Sequence, residues 1–596
     1  MAFIPGKKSA NEPVEYVPVY ERIQDWIFRL DVGIGIGPFR LGVFCLVVLL
    51  LILLYTGTQF YGLRDPAAMD AGQLARNLAR GRGYATQNIR PLEIWYLTSI
   101  GRRPIDPNTN LEPELWTPPM YPMVLAAVFH ALPPDFEVVN GAWTLEADRV
   151  VMLTGWLCYL AGMFLMYALA REMFDHRVAT MSAFMYLFCN PLLQSAIAGL
   201  PLGLMSVFFL LAAYAVFKAE KWQAEGRTAW WVYGALAVSA GAVALGTLTQ
   251  YAFASVLAPL LIYVAVSFPR QWRVKCLLCI AIFLVVLTPW MMRNWKASET
   301  LFGLSRYQLV EGLGAGTESE IRPGQAQRMF GGVLPEMRLR SQARRALVNA
   351  RQLYEVALKD VGANYLVVFF LVGLLHRYRQ EEVFRLRRFV LWSVLMAMVW
   401  LSVAGPSPLG TSLPKRNFLT VFEPLIIVYG VAFFYVLFER LQFRTRLVRT
   451  AFVGGFAVFN CLPFVFTMLP PATMLPYPPY RADAVVRLGK GFTEQELLCS
   501  DIPWAVAWYA DRSAVWAPYR EEDFYAINDN VKVVSGIYLT QETLRGEDAL
   551  QMITGYQRFW VQMFDLNVFP PPKFPLPIGR PWTPDGQQVL ITNRKL

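Results

Sequence analysis

About eleven apolar runs, most of them close to the ~20 residues with which a helix crosses a bilayer, divide this chain and leave room for few other architectures. They lie near residues 41–60, 150–172, 178–197, 201–218, 230–249, 251–268, 274–292, 362–376, 388–404, 417–438 and 450–469. Hydrophobic residues make up 55% of the sequence and charged residues only 17%, more apolar surface than a water-soluble core needs. The chain therefore reads as an α-helical polytopic membrane protein with about eleven transmembrane helices. A polar lead carrying Lys7, Lys8, Arg22, Arg29 and Arg40 places the run at 41–60 too deep for a cleaved signal peptide, so it reads as a retained first span. Within that lead Tyr20, Ile23, Trp26, Ile27 and Leu30 recur at helical spacing, as in an amphipathic helix lying on the inner membrane surface.

Short loops set the orientation, because lysine and arginine are retained on the cytoplasmic side. With the amino terminus inside, the basic loops at 218–227, 270–275, 377–388 and 440–449 all face the cytoplasm, and the turns near 198–201 and 250 face outward without a basic residue. The chain then divides into a cytoplasmic amphipathic segment (1–40), a transmembrane domain (41–469) with extracytoplasmic loops at 61–149 and 293–361, and an extracytoplasmic α/β domain (470–596). The tail opens on a proline-rich link and alternates short apolar strands, such as Trp504 to Trp508, Val531 to Tyr538 and Val589 to Thr592, with polar helical stretches. The net charge of +11 comes largely from inner loops and the arginine-rich segment 322–351, which points to anionic lipid neighbours and not to nucleic acid. Three histidines make histidine-based metal or triad chemistry a poor fit, and the Cys276–Cys279 pair lies within an apolar run, where packing explains it.

Asp65-Pro66, a run of good helix formers and Gly81 form a self-contained helix signature: a capping aspartate, a proline in the first turn and a glycine just past the end. Asp65 is explained as the cap. Asp70, in the second turn, is not, and Gln73 and Asn77 share its face. That polar face is either solvated or a buried general base with amide neighbours. Downstream lie a Gly81-Arg82-Gly83-Tyr84 turn, Arg90-Pro91, and the segment Thr117-Pro118-Pro119-Met120-Tyr121-Pro122. Arg293-Asn294 leaves one span and Lys415-Arg416 approaches another, both at outer ends, against the inside preference for basic residues. Snorkelling or contact with ordinary head groups explains such residues, and so does a clamp for a lipid-borne phosphate.

The Asp70 helix, the Gly-Arg-Gly-Tyr turn, Thr-Pro-Pro-Met-Tyr-Pro, Pro289-Trp290-x-x-Arg293-Asn294 and Lys415-Arg416-x-x-Leu419-x-x-x-x-Pro424 together resemble the GT-C glycosyltransferases, most of all the protein O-mannosyltransferase-like and aminoarabinose-transferase-like bacterial enzymes. Ser500-Asp501-Ile502-Pro503-Trp504 resembles their extracytoplasmic domain. The resemblance implies a polyprenyl-phosphate sugar donor and inverting transfer to an extracytoplasmic acceptor: glycolipid, polysaccharide or protein. It implies Asp70 as the base, Arg90, Arg293, Lys415 and Arg416 around the donor phosphate, and Asn77, Tyr121 and Asn294 as further substrate-binding residues. It also implies a multi-pass protein of the cell membrane.

The chain departs from the pattern at Ala71, where relatives often carry glutamate, at Leu74 for an aromatic, at Thr117 for a lysine, and at Leu200 for a carboxylate. No cofactor is fixed by these residues. A divalent metal ion stays an option, less one ligand at Leu200. Two other classes fit the membrane architecture: a transporter or flippase for a lipid-linked or small solute, and a catalytically silent assembly subunit that keeps the fold.

Overall fold

The computed structural model describes residues 36–136, 145–305, 339–354, 365–404, 418–441, 445–469, 480, 482–518, 521–544, 558–564, 570, 573–584 and 586–594. The expected surface helix around Tyr20 to Leu30 and the Lys415–Arg416 pair lie outside these residues. The chain forms two units, 1–60 and 61–596. The described part of the first is one helix, α1 (Ile36–Gln59).

Among the described residues eight helices are long and apolar enough to cross a membrane: Gly42–Gln59, Glu146–Met173, Leu202–Ala224, Ala229–Thr249, Trp272–Ser298, Glu381–Val403, Phe418–Arg440 and Arg446–Met468. The other three expected spans take different forms. The run at 178–197 is two helices, His176–Leu187 and Asn190–Ile197, broken where Pro191 has no N–H to continue the ladder. The run at 251–268 begins as a 3₁₀ turn, Tyr251–Val256, and continues as the short helix Leu257–Ser267. Only Leu366–Gly373 is helical in the described part of the run at 362–376.

Helix α2 (Pro66–Ala79) forms as its residues dictate. Asp65 caps it by accepting from the Ala67 N–H at 2.9 Å, and Pro66 supplies a preset φ in the first turn. At its far end the Arg82 N–H donates to the Asn77 carbonyl and the Gly81 N–H to the Leu78 carbonyl, a Schellman closure that needs the left-handed φ of +72° at Gly81. The polar face of α2 is buried as completely as the apolar one, with Asp70 only 7% exposed and Gln73 and Asn77 fully enclosed.

After α2 the chain forms β1 (Ala85–Thr86), β2 (Asn88–Ile89), α3 (Pro91–Ser99), β3 (Glu112–Pro113) and α4 (Met120–Ala131). Strand β1 pairs antiparallel with β3, setting Thr86 opposite Glu112. Strand β2 instead joins a six-stranded sheet whose other members come from the far end of the chain: β4 (Leu497–Ser500), β5 (Ala514–Trp516), β6 (Val534–Leu539), β7 (Ile578–Pro581) and β8 (Val589–Thr592). The order is β2-β5-β4-β6-β8-β7, parallel from β2 to β6 and antiparallel beyond. Its core mixes Ile89, Leu92 and Ile94 from the segment that follows α2 with Leu497, Val515, Phe524 and Ile537 from the tail.

The expected strand Trp504 to Trp508 is helical, a turn at Pro503–Ala505 followed by a π-helical turn at Val506–Ala510. Proline at the start of a turn favours helix, and tertiary contacts override the alternating apolar pattern. The turn buries Trp508 completely, and the ring lies against α2 where a Cβ on Gly72 would meet its edge at 2.8 Å. Replacing Gly72 with alanine should overpack this contact and destabilise the protein by about 1–3 kcal/mol, read as a lower unfolding temperature in detergent; an unchanged temperature would show that the ring yields freely.

Candidate active site

Three donors hold the Asp70 carboxylate. Gln73 Nε2 and Asn88 Nδ2 both donate to Oδ1 at 3.1 Å, and Arg90 donates to Oδ2 at 2.7 Å. The sequence builds this by local means: Gln73 lies one turn along α2, and Asn88 and Arg90 occupy and follow the short strand β2. Thr86 accepts from Gln73 at 2.8 Å and from the Asn88 N–H at 3.0 Å, which fixes both amides. A carboxylate offers four lone-pair positions; three are filled here among the described residues, and the fourth, on Oδ2, takes no donor from them.

Beneath Arg90 lie three glutamates, all fully buried: Glu93, Glu112 and Glu114. Arg90 Nη1 stands 3.6 Å from Glu93 and 3.5 Å from Glu114, while Glu114 Oε1 accepts the N–H groups of Trp116 and Thr117 at 2.7 and 2.6 Å. Burial pushes the carboxyls of Glu93 and Glu112 above the usual range against the pull of Arg90, with the charges of Glu114 and Asp70 adding to the rise at Glu93 and those of Glu93 and Glu114 to the rise at Glu112. Burial likewise raises Glu114, with Arg90 opposing it. Burial works against the Arg90 guanidinium, but Glu114, Asp70 and Glu93 raise its pKa above the ordinary arginine value. Sequence reading missed these glutamates. Glu93 reads as a first-turn acid of α3, and nothing in the irregular segment around Glu112 and Glu114 announces that the β1–β3 ribbon turns them inward.

The other expected site residues take distinct places. Asn77 is enclosed and donates to the Ala85 carbonyl at 2.8 Å, closing the turn after α2. Tyr121 is buried and donates to the Gly199 carbonyl at 2.7 Å, which ties α4 to the membrane helices. Asn294 is enclosed and accepts from Arg293 at 3.0 Å. Arg293 itself is half-buried, donates to the carbonyls of Tyr84 at 2.9 Å and of Glu114, and lies over the rings of Tyr84 and Trp290. Arg90 faces carboxylates on several sides, so it holds Asp70 and does not face outward as a phosphate ligand would. The neighbours of Asp70 present N–H donors, which suit an anion and not a cation, and no group of three or more His, Cys, Asp or Glu among the described residues is placed to hold a metal ion. The residues therefore do not fit a divalent ion at Asp70.

A second buried guanidinium, again missed from the sequence, fastens this site to the tail. Arg76 on α2 donates to the carbonyls of Ala507 and Trp508 and to Gln87 Oε1, and pairs with Asp511 at 2.9 Å. Trp508 in turn donates to Asp148 at 2.8 Å. Burial alone would raise Asp511, but Arg76 and Arg80 hold it down to about 2. That contribution to stability is therefore present above pH ~4 and disappears as pH falls towards 2. Replacing Arg76 with methionine should cost about 3–5 kcal/mol, because the acceptors it leaves are buried, and should flatten the loss of stability between pH 4 and 2; thermal unfolding across that range tests both.

Residues 144–292 match the family described as dolichyl-phosphate-mannose-protein mannosyltransferase. No curated protein matches the chain. Among solved structures, ArnT from Cupriavidus metallidurans is similar with a TM-score of 0.54 at 13% identity, over 94% of this chain and 98% of that one. Its complex with undecaprenyl phosphate is similar with a TM-score of 0.53 at 12% identity, over 93% and 98%. The oligosaccharyltransferase AglB from Archaeoglobus fulgidus, solved with an inhibitory peptide and a dolichol-phosphate, is similar with a TM-score of 0.53 at 13% identity, over 88% of this chain and 70% of that one. At these identities the likeness establishes the fold: this is a multi-pass membrane protein with the architecture of the GT-C glycosyltransferases.

Proposed function

We propose that the protein is an inverting membrane glycosyltransferase that moves one sugar from a polyprenyl-phosphate carrier to an extracytoplasmic acceptor. The observation that carries this reading is Asp70: an enclosed carboxylate, held by three donors, with one lone-pair position left on Oδ2. An acceptor hydroxyl placed there gives its proton to Oδ2 as its oxygen attacks the anomeric carbon. The bond from that carbon to the phosphate oxygen breaks on the opposite face, and polyprenyl phosphate leaves with the electron pair. Arg90, Gln73 and Asn88 keep the carboxylate from turning. Fold neighbours solved with undecaprenyl phosphate and with a dolichol-phosphate support a lipid-phosphate leaving group. Among the described residues Arg293 carries its charge against carbonyls and ring faces, without a carboxylate at ion-pair distance, which suits it to meet that phosphate. Lys415 and Arg416 complete the proposed phosphate set. In this reading the amino terminus lies in the cytoplasm and the Asp70 site on the outer face of the cell membrane, an orientation that the lysine and arginine of the short loops support.

The test uses purified protein, a panel of undecaprenyl-phosphate hexoses and pentoses, and a membrane extract as the source of acceptors. Wild type should release undecaprenyl phosphate from at least one donor, and Asp70→Asn should lower that rate by about 10²–10⁴-fold with the protein still folded. Asp70→Asn turning over like wild type would overturn the assignment. Arg293→Ala should raise the donor concentration needed for half-maximal rate, and an unchanged donor dependence would remove Arg293 from the phosphate set.

A further inference from the structure

Glu114 is more tightly built into this site than a packing residue needs to be. Its Oε1 accepts two successive N–H groups, those of Trp116 and Thr117, and faces Arg90 Nη1 at 3.5 Å. Its own carbonyl accepts from Arg293. Its Oε2 is buried and has no hydrogen-bond partner among the described residues. Arg90, in turn, makes a charged hydrogen bond to Asp70 and stands at ion-pair distance from two glutamates on its other side. Left to itself, a guanidinium on a flexible stem would follow whichever carboxylate it found; here its far side is held.

The charges around it also account for themselves. Burial pushes the carboxyls of Glu93 and Glu112 above the usual range, and the charge of Glu93 adds to the rise at Glu112. Glu93 adds a further contact to Arg90 at 3.6 Å. Asp70 and Glu114 then face Arg90 from two sides, with Arg293 against the Glu114 backbone and the Tyr84 hydroxyl turned away to the carbonyls of Thr117 and Pro118. A continuous line of contacts runs from Arg293 through Glu114 and Arg90 to Oδ2 of Asp70.

We propose that Glu114 is a positioning residue for Asp70: by holding Arg90 from behind it sets the angle of the Asp70 carboxylate, and through its bonds to Trp116, Thr117 and Arg293 it ties the base to the side of the site that meets the donor phosphate. This rests on the reading of Asp70 as the base. Glutamine at 114 keeps the size and the oxygen that accepts from Trp116 and Thr117, removes the charge facing Arg90, and puts an NH2 in the place of Oε2.

With the undecaprenyl-phosphate sugar that wild type consumes, Glu114→Gln should lower kcat by about a hundredfold while the donor KM stays unchanged, as expected for a base displaced by a fraction of its contact distance. Glu114→Asp, which restores the charge, should recover part of that loss. Because Glu114 acts through Arg90, Glu114→Gln combined with Arg90→Lys should be no slower than Arg90→Lys alone. Wild-type kcat in Glu114→Gln, or independent and additive losses in the double variant, would overturn the proposal. Should Glu114→Gln fail to fold, Glu114→Asp takes its place in the same cycle. An inactive Asp70→Asn beside a fully active Glu114→Gln would reject only the positioning role, whereas an active Asp70→Asn would reject the reading of the base beneath it.

Discussion

The buried guanidinium of Arg76 fixes the rest of the site. A charge taken out of water needs partners, and the two terminal nitrogens of Arg76 find them in two backbone carbonyls of the π-helical turn, a glutamine amide and the Asp511 carboxylate. All of these acceptors but Gln87 belong to the tail, while Arg76 belongs to α2, so the bonds between them set where α2 lies on the sheet. Phe136 and Trp508 lie against the same guanidinium. Asp70, two turns earlier on the helix, is placed by this clamp before any of its own contacts are counted. The Trp508 ring against Gly72 and the Trp508 bond to Asp148 extend the same fixture to the membrane helix Glu146–Met173.

Around Asp70 the protein has gathered more carboxyl groups than cations. Asp70, Glu93, Glu112 and Glu114 surround one arginine, and none of the three glutamates reaches solvent. Such a cluster persists only if some members stay protonated, and burial supplies the reason they do. The outcome is a division of labour among like groups. Asp70 receives three side-chain donors, while burial pushes the carboxyls of Glu93 and Glu112 above the usual range.

Much of this was legible in the sequence where the causes are local. Asp65, Pro66 and Gly81 announce α2 at both ends, and the spacing of Asp70, Gln73 and Asn77 puts them on one face as the structure does. The apolar runs mark the membrane helices wherever no proline or short run interrupts them. What sequence could not supply are contacts between distant residues. Arg76 reads as a helix surface charge because its acceptors lie 431 and 432 positions away. The apolar alternation of Trp504 to Trp508 reads as a strand because nothing local reveals that Trp508 must reach Asp148 and Tyr509 the Leu63 carbonyl. Ala71 and Leu200 suggest a site poor in acids, yet the acids come from β3 and its surroundings, which no helical periodicity predicts.

Strand β2 carries a temporal consequence. Asn88 and Ile89 pair with Ala514 and Val515, so the segment after α2 completes its sheet only with residues made more than four hundred positions later. Membrane helices can be inserted one after another as the ribosome delivers them, but a pairing so distant in sequence waits for the last part of the chain. Through most of its synthesis the polar face of α2 has no sheet to lie on and Arg76 has none of its acceptors from the tail. The clamp on Arg76 is thus closed last, and a chain interrupted before β5 would carry Asp70 and its local donors without the tail that fastens them.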